Sequence, residues 1–132
     1  MLQSDIKIRY QNKIIYLYKI VGGIYMEKVK KDILRKIFLG FIHIHILRHA
    51  YKKPFYGSWL INHLAKHGYI VSAGTIYPIL YKLEENKVLM ANKTLEKDGK
   101  FRIYYSITSL GIEILKEAEY QVKILANKSL EL

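Results

Sequence analysis

Between Ser72 and Thr108 the side chains fall in an order suited to contact with a polyanion. Ser72 is placed to act as an N-cap, and Ala73–Glu85 then reads as a helix. At about 100° per residue, Ile76, Ile79, Leu80 and Leu83 gather on one side and leave Gly74, Tyr77, Pro78, Tyr81 and Lys82 on the other. That outward face is aromatic and basic, a chemistry that can touch base edges and phosphates together. Val88–Thr94 reads as a strand, Asp98-Gly99 as a turn and Phe101–Ile107 as the returning strand, with Lys93, Lys97, Lys100 and Arg102 around the loop. A capped helix followed by a basic hairpin is how a winged helix meets DNA. Lys82, Lys100 and Arg102 are then candidate phosphate contacts and Tyr77 a candidate base contact. Pro78 falls in the second helical turn, where a proline costs about 3 kcal/mol; either the helix starts late or the site tolerates strain.

A second set of chemistry-bearing residues is His45/His49 and His63/His67, each pair spaced i,i+4 and so on one helix face. Two such pairs resemble zinc-ligand geometry. Five histidines in a chain rich in Ile and Lys make the spacing unsurprising, however, and neither a Cys nor an evident third carboxylate supports it. No metal and no cofactor are expected. Nothing favours an enzyme: Gly22-Gly23 is isolated and no phosphate loop, nucleophile elbow or paired carboxylates can be read.

Composition is consistent with the hairpin reading. With 132 residues the chain is expected to form one domain with one core, and its formal net charge of +11 favours a polyanionic partner. The absence of Cys excludes disulfides and thiolate sites and is compatible with a reducing cytoplasm, where the protein is expected to reside. The most apolar stretch, Ile37–Leu47, contains His43 and His45 and falls short of the ~20 residues of a membrane span, so no membrane partner is expected.

Several elements must position these residues. Met26 opens a charged amphipathic segment, and Gly22-Gly23 just upstream fits glycine codons of a ribosome-binding site read as protein. Residues 1–25 are then an N-terminal extension, read either as a translated leader before a natural start at Met26 or as a real arm. In the arm reading Ile14, Ile15, Leu17, Ile20 and Val21 pack as a short helix or strand. Residues 26–132 hold 18 Lys/Arg against 10 Asp/Glu, so the basic character survives either way. Asp32–His49 is read as a helix with Ile33, Ile37, Phe41 and Ile44 on one face and Leu34, Phe38, Ile42 and Ile46 on a second; it must be covered on two sides. Tyr56–His67 follows Pro54 as a second helix with Leu60, Ile61 and Leu64 inward and Gly68 at its C-terminus. Thr108 caps a last helix whose stripe is Ile114, Ala118, Val122 and Leu125.

Phe55-Tyr56-Gly57, the run Ser72-Ala73-Gly74-Thr75-Ile76-Tyr77-Pro78-Ile79-Leu80, Lys82-Leu83-Glu84-Glu85 and Tyr104-Tyr105-Ser106-Ile107-Thr108 together resemble the PadR-like transcriptional regulators in their short form. The resemblance covers about residues 30–125. It implies a mainly α (α+β) fold: a winged helix-turn-helix at 26–112 and a C-terminal dimerisation helix at 113–132. It implies a homodimeric repressor that binds double-stranded DNA at a palindromic operator, through Tyr56, Ser72, Thr75, Tyr77, Pro78, Lys82, Lys100 and Arg102. The dimer interface would use Ile33, Ile37 and Phe41 with Ile114, Ala118, Val122 and Leu125. Family members take aromatic or hydrophobic effectors, and twelve Tyr and Trp59 supply aromatic surface here. Two departures stand out. Asn86 replaces the usual Gly and is expected to take the left-handed cap, and Phe101-Arg102-Ile103 replaces a more basic wing. The alternatives are a winged helix that binds protein, against which the charge argues, and a non-specific architectural DNA binder.

Overall fold

The computed structural model describes residues 12–129, with side chains described for residues 26–128. The side-chain packing expected of Ile14, Ile15, Leu17, Ile20 and Val21 lies outside the residues whose side chains are described, and nothing in the structure separates the leader and arm readings of 1–25. The element order is α1 (Asn12–Lys52), β1 (Phe55–Tyr56), α2 (Gly57–Lys66), α3 (Ala73–Glu85), β2 (Leu89–Leu95), β3 (Phe101–Ile107) and α4 (Ser109–Ser129). The chain divides into two compact units, Met1–Gly40 and Phe41–Leu132.

In the first unit Met26, Val29, Ile33, Leu34, Ile37 and Phe38 are all exposed. Among the described residues of α1, those buried in a core are Ile42, Ile46, Leu47 and Ala50, all in the second unit. Phe41, expected beside them, is exposed.

The second unit is built on that buried end of α1. Leu60 and Leu64 of α2 and Ile76 and Leu80 of α3 are buried, as helical spacing requires, and Phe55, Val88, Leu89, Tyr105 and Leu115 complete the core. Ile61, Ile79 and Leu83, expected inward, are half-buried. The sheet is antiparallel with order β1-β3-β2. Phe55 pairs with Tyr105 and Tyr56 with Tyr104, so the short strand before α2 ties the helical part to the hairpin.

The helix ends follow recognisable physics. After α2 the amide of Tyr69 donates to the Leu64 carbonyl at 2.9 Å and that of Gly68 to Ala65 at 3.2 Å, with Gly68 at φ +89°, a Schellman turn that needs the left-handed conformation. After α3 the same turn recurs, with Val88 N–H donating to Leu83 and Lys87 N–H to Glu84. Here the left-handed residue is Lys87 (φ 62°), while Asn86 stays at φ −86°, which corrects the assignment of that role to Asn86. The β2 strand begins one residue later than expected, since Val88 completes this turn.

Candidate nucleic-acid interface

Helix α3 starts at Ala73, not late, so Pro78 sits inside it and the Gly74 carbonyl lacks its usual amide partner. Both residues are exposed. Ser72 occupies the N-cap position but its hydroxyl makes no capping bond; it lies 3.4 Å from the Thr75 hydroxyl, while its carbonyl accepts from the Thr75 and Ile76 amides. The side-chain cap expected of Ser72 is thus absent, which keeps two hydroxyls at the start of α3.

Tyr77 and Tyr81 project from the outer face, 44 % and 64 % exposed, with exposed Lys82 beside them. Tyr77 also has an inner partner. Its ring covers Gly57, where a Cβ would stand 2.5 Å from Cε1, so the first turn of α2 supports the ring.

The wing positions its charges unequally. Gly99 (φ +82°) turns the hairpin, and the Lys100 amide donates to the Asp98 carboxylate at 3.0 Å, leaving the Lys100 side chain exposed at the tip. The Arg102 guanidinium instead lies 4.7 Å from the Tyr56 ring centroid and 3.8 Å from Glu96, whose carboxylate also accepts from Tyr104 Oη at 2.6 Å. Tyr56 is enclosed between Arg102 and the edge-on ring of Tyr104. Tyr56 therefore seats the wing's arginine, a role that its neighbouring aromatics in the sequence did not reveal.

At the base of the wing Thr108 caps α4 as expected. Its hydroxyl donates to the Lys87 carbonyl at 2.6 Å and accepts from the Gly111 amide at 3.1 Å. Gly111 is required there, because a Cβ would meet the Val88 carbonyl at 2.4 Å.

The expected dimer residues occupy two elements. Ile33, Ile37 and Phe41 are exposed on α1; Ile114, Val122 and Leu125 are exposed on α4, with Ala118 half-buried. Leu115, not singled out by the stripe, is the residue of α4 that enters the core. Arg48 of α1 forms a two-pronged ion pair with Glu119, its Nε donating at 2.8 Å.

The histidine pairs do meet across α1 and α2, but ring against ring. His49 and His63 lie 4.4 Å apart by centroids, His63 and His67 4.5 Å, and Trp59 stacks on His63 at 4.7 Å. Among the described residues no group of three or more His, Cys, Asp or Glu is arranged to hold a metal. Burial first, then the charges of His63 and Lys52, pushes His49 down to about 4. These rings, with Arg48, Lys52 and Lys53, line a cleft of about 480 Å³.

A helix-turn-helix of α2 and α3 joined to a β2–β3 hairpin defines a winged helix-turn-helix. Residues 46–117 match the family model of the PadR-like transcriptional regulators. The chain is 37 % identical over 89 residues to Transcriptional regulator Rv3488 of Mycobacterium tuberculosis, a match covering 67 % of this chain and 82 % of that protein. A PadR family transcriptional regulator from Eggerthella lenta superposes with a TM-score of 0.68 at 26 % identity, over 82 % of this chain and 95 % of its own. A Streptococcus transcriptional regulator superposes with a TM-score of 0.67 at 29 % identity, over 72 % and 94 %. The chain belongs to the PadR-like family of transcriptional regulators. It is a DNA-binding transcriptional regulator. Among the described residues no helix is long and apolar enough to cross a membrane.

Proposed function

We propose that the protein is a sequence-specific repressor that binds a palindromic operator as a homodimer. The observation that carries this reading is the outer face of α3. Tyr77, Pro78, Tyr81 and Lys82 are exposed together beside the Ser72 and Thr75 hydroxyls, next to a wing whose tip is basic. In the proposal α3 enters the major groove, Tyr77 and Thr75 face base edges, and Lys82, Lys100 and Arg102 face phosphates. Tyr56 contributes by holding Arg102.

Homodimerisation supplies the cover that the apolar stripes lack. Ile33, Ile37 and Phe41 of α1 and Ile114, Ala118, Val122 and Leu125 of α4 are proposed to bury against a second copy. Two recognition helices then address successive major grooves, about 34–36 Å apart.

Selection of bound duplexes from a random pool by the purified full chain, with its solution mass, tests the reading. A palindromic motif with a dimer mass is expected, and a reporter behind that motif should fall when the protein is expressed. Salt-sensitive binding to every duplex without an enriched motif would replace it with an architectural role.

A further inference from the structure

Cross-strand partners in an antiparallel ladder point to one side, and alternate residues along a strand share a face. In the wing, Leu95 is opposite Phe101, Lys93 opposite Ile103 and Leu89 opposite Ile107, so these residues share one face with Tyr105. At the base that face is core: Leu89 is 1 % and Tyr105 8 % exposed. Toward the tip it leaves the protein, with Leu95 61 %, Phe101 59 % and Ile103 48 % exposed. A hairpin built only to grip phosphates has no use for a bare Leu–Phe pair at its end.

The surroundings of that pair indicate its occupant. The Lys93 ammonium stands 4.7 Å from the Phe101 ring centroid, and Lys97 and Lys100 are exposed in the turn beyond it. Of the acids nearby, Glu96 is bonded by Tyr104 and Asp98 by the Lys100 amide. A second copy of the wing would bring like charges together; a partner with a negative rim and an apolar interior would not. The same face continues inward. Phe101 and Ile103 line, with Tyr77 of α3, a cleft of about 280 Å³, so a ligand lying along α3 also passes the apolar tip.

We infer that Leu95 and Phe101 form an apolar wedge that enters the minor groove of the operator and partly unstacks one base step, while Lys93, Lys97 and Lys100 meet the flanking phosphates. This inference rests on the DNA-binding reading above. Duplex DNA has the required chemistry, two phosphate rims around a stack of bases, and apolar side chains inserted between base steps kink it. The wing then selects sequence through deformability, favouring flexible pyrimidine–purine steps over stiff A-tracts without hydrogen-bonding the bases.

The test uses the full-length protein and its selected operator, labelled at both ends for energy transfer and carrying 2-aminopurine at the step facing the wing. The wild type is expected to bend the duplex and raise the 2-aminopurine emission. Phe101→Ala and Leu95→Ala, each checked for native circular dichroism, should abolish the emission rise. They should weaken binding about tenfold when a TA step faces the wing and less than about threefold when an A-tract does. Phe101→Lys, which adds charge but removes the wedge, should also lose the signal. Specific binding with a straight, stacked duplex, or Phe101→Lys binding as well as wild type, would overturn the wedge while leaving the regulator intact. If Phe101→Ala changes the mass of the free protein, the tip is an assembly surface and the wedge fails. Absence of specific DNA binding altogether would overturn both readings.

Discussion

The Tyr77 ring rests on Gly57, so close that the Cβ of any other residue would stand 2.5 Å from its Cε1 and 2.8 Å from its hydroxyl oxygen. A side chain on the recognition helix is thereby aimed by an empty position on the helix before it. Gly57→Ala should push the ring outward. Because the colliding atoms are the far end of a partly exposed side chain, stability should change by less than about 1.5 kcal/mol. Operator affinity should fall by about 1–3 kcal/mol, the scale of a lost base contact, as it should for Tyr77→Ala. Wild-type affinity in both variants, measured by titration of the labelled operator, would make Tyr77 a packing residue only.

Lys87 takes φ 62° to end α3, a conformation that crowds the Cβ of an L-residue. Its carbonyl is held by the Thr108 hydroxyl at 2.6 Å, so the backbone does not relax. Lys87→Gly should stabilise the protein by about 1 kcal/mol, read as a higher urea midpoint with unchanged slope. Asn86→Gly, at φ −86°, should give no such gain.

Thr108 and Gly111 lock the wing to α4. Thr108→Val keeps the shape but loses the bonds to Lys87 and Gly111, and it should cost about 1–2 kcal/mol. Gly111→Ala should cost more, about 1–3 kcal/mol, since its Cβ meets the Val88 carbonyl at 2.4 Å and backbone cannot swing aside. Chemical denaturation ranks the two; a neutral Gly111→Ala would mean that α4 shifts freely.

His49 should make the fold sensitive to acid. It faces His45 and Lys52 of α1, His63 of α2, His67 just after α2 and the Trp59 ring, and burial is the main cause holding it down at about 4, against an ordinary 6.5. The unfolded chain therefore binds the proton more readily, so the contribution of neutral His49 is complete above pH about 6.5 and is lost as pH falls toward about 4. His45 and His63 shift in the same direction, each chiefly through burial. His49→Leu should flatten, without abolishing, the fall in unfolding free energy across that window, measured by denaturation at a series of pH values. An unchanged slope would place the acid sensitivity elsewhere.

The recognition helix was legible because its signals agree. A polar residue at the start, alternating faces and a Glu-Glu close bound it at Ala73–Glu85, and Asp-Gly set the hairpin with β3 at Phe101–Ile107. Strand β1 was not legible, since two residues carry no period and pair only through β3. Helix α1 begins at Asn12, well before Asp32, because periodicity locates an apolar face and not a helix end. For the same reason the repeat through Ile33, Ile37 and Phe41 could not disclose that these three are exposed while Ile42 is buried. Neither the seating of Arg102 on Tyr56 nor that of Tyr77 on Gly57 has a local signature, because each joins residues far apart in the chain.

Lys100 and Arg102 look equivalent in the sequence but differ in what already holds them. Lys100 is exposed at the tip and its side chain has no acidic partner within ion-pair distance among the described residues. Arg102 is stacked on Tyr56 and lies 3.8 Å from Glu96, so a phosphate must compete with a carboxylate for it. Lys100→Ala should weaken binding to all duplexes alike and lower the slope of log K against log salt by about 0.9, one released counterion. Arg102→Ala should lower that slope by less, while Glu96→Gln, which frees the arginine, should steepen it. The three slopes, measured on one operator, separate a contact made by charge alone from one made by a charge already engaged. A larger loss of slope for Arg102→Ala than for Lys100→Ala would show that the Glu96 pair breaks on binding.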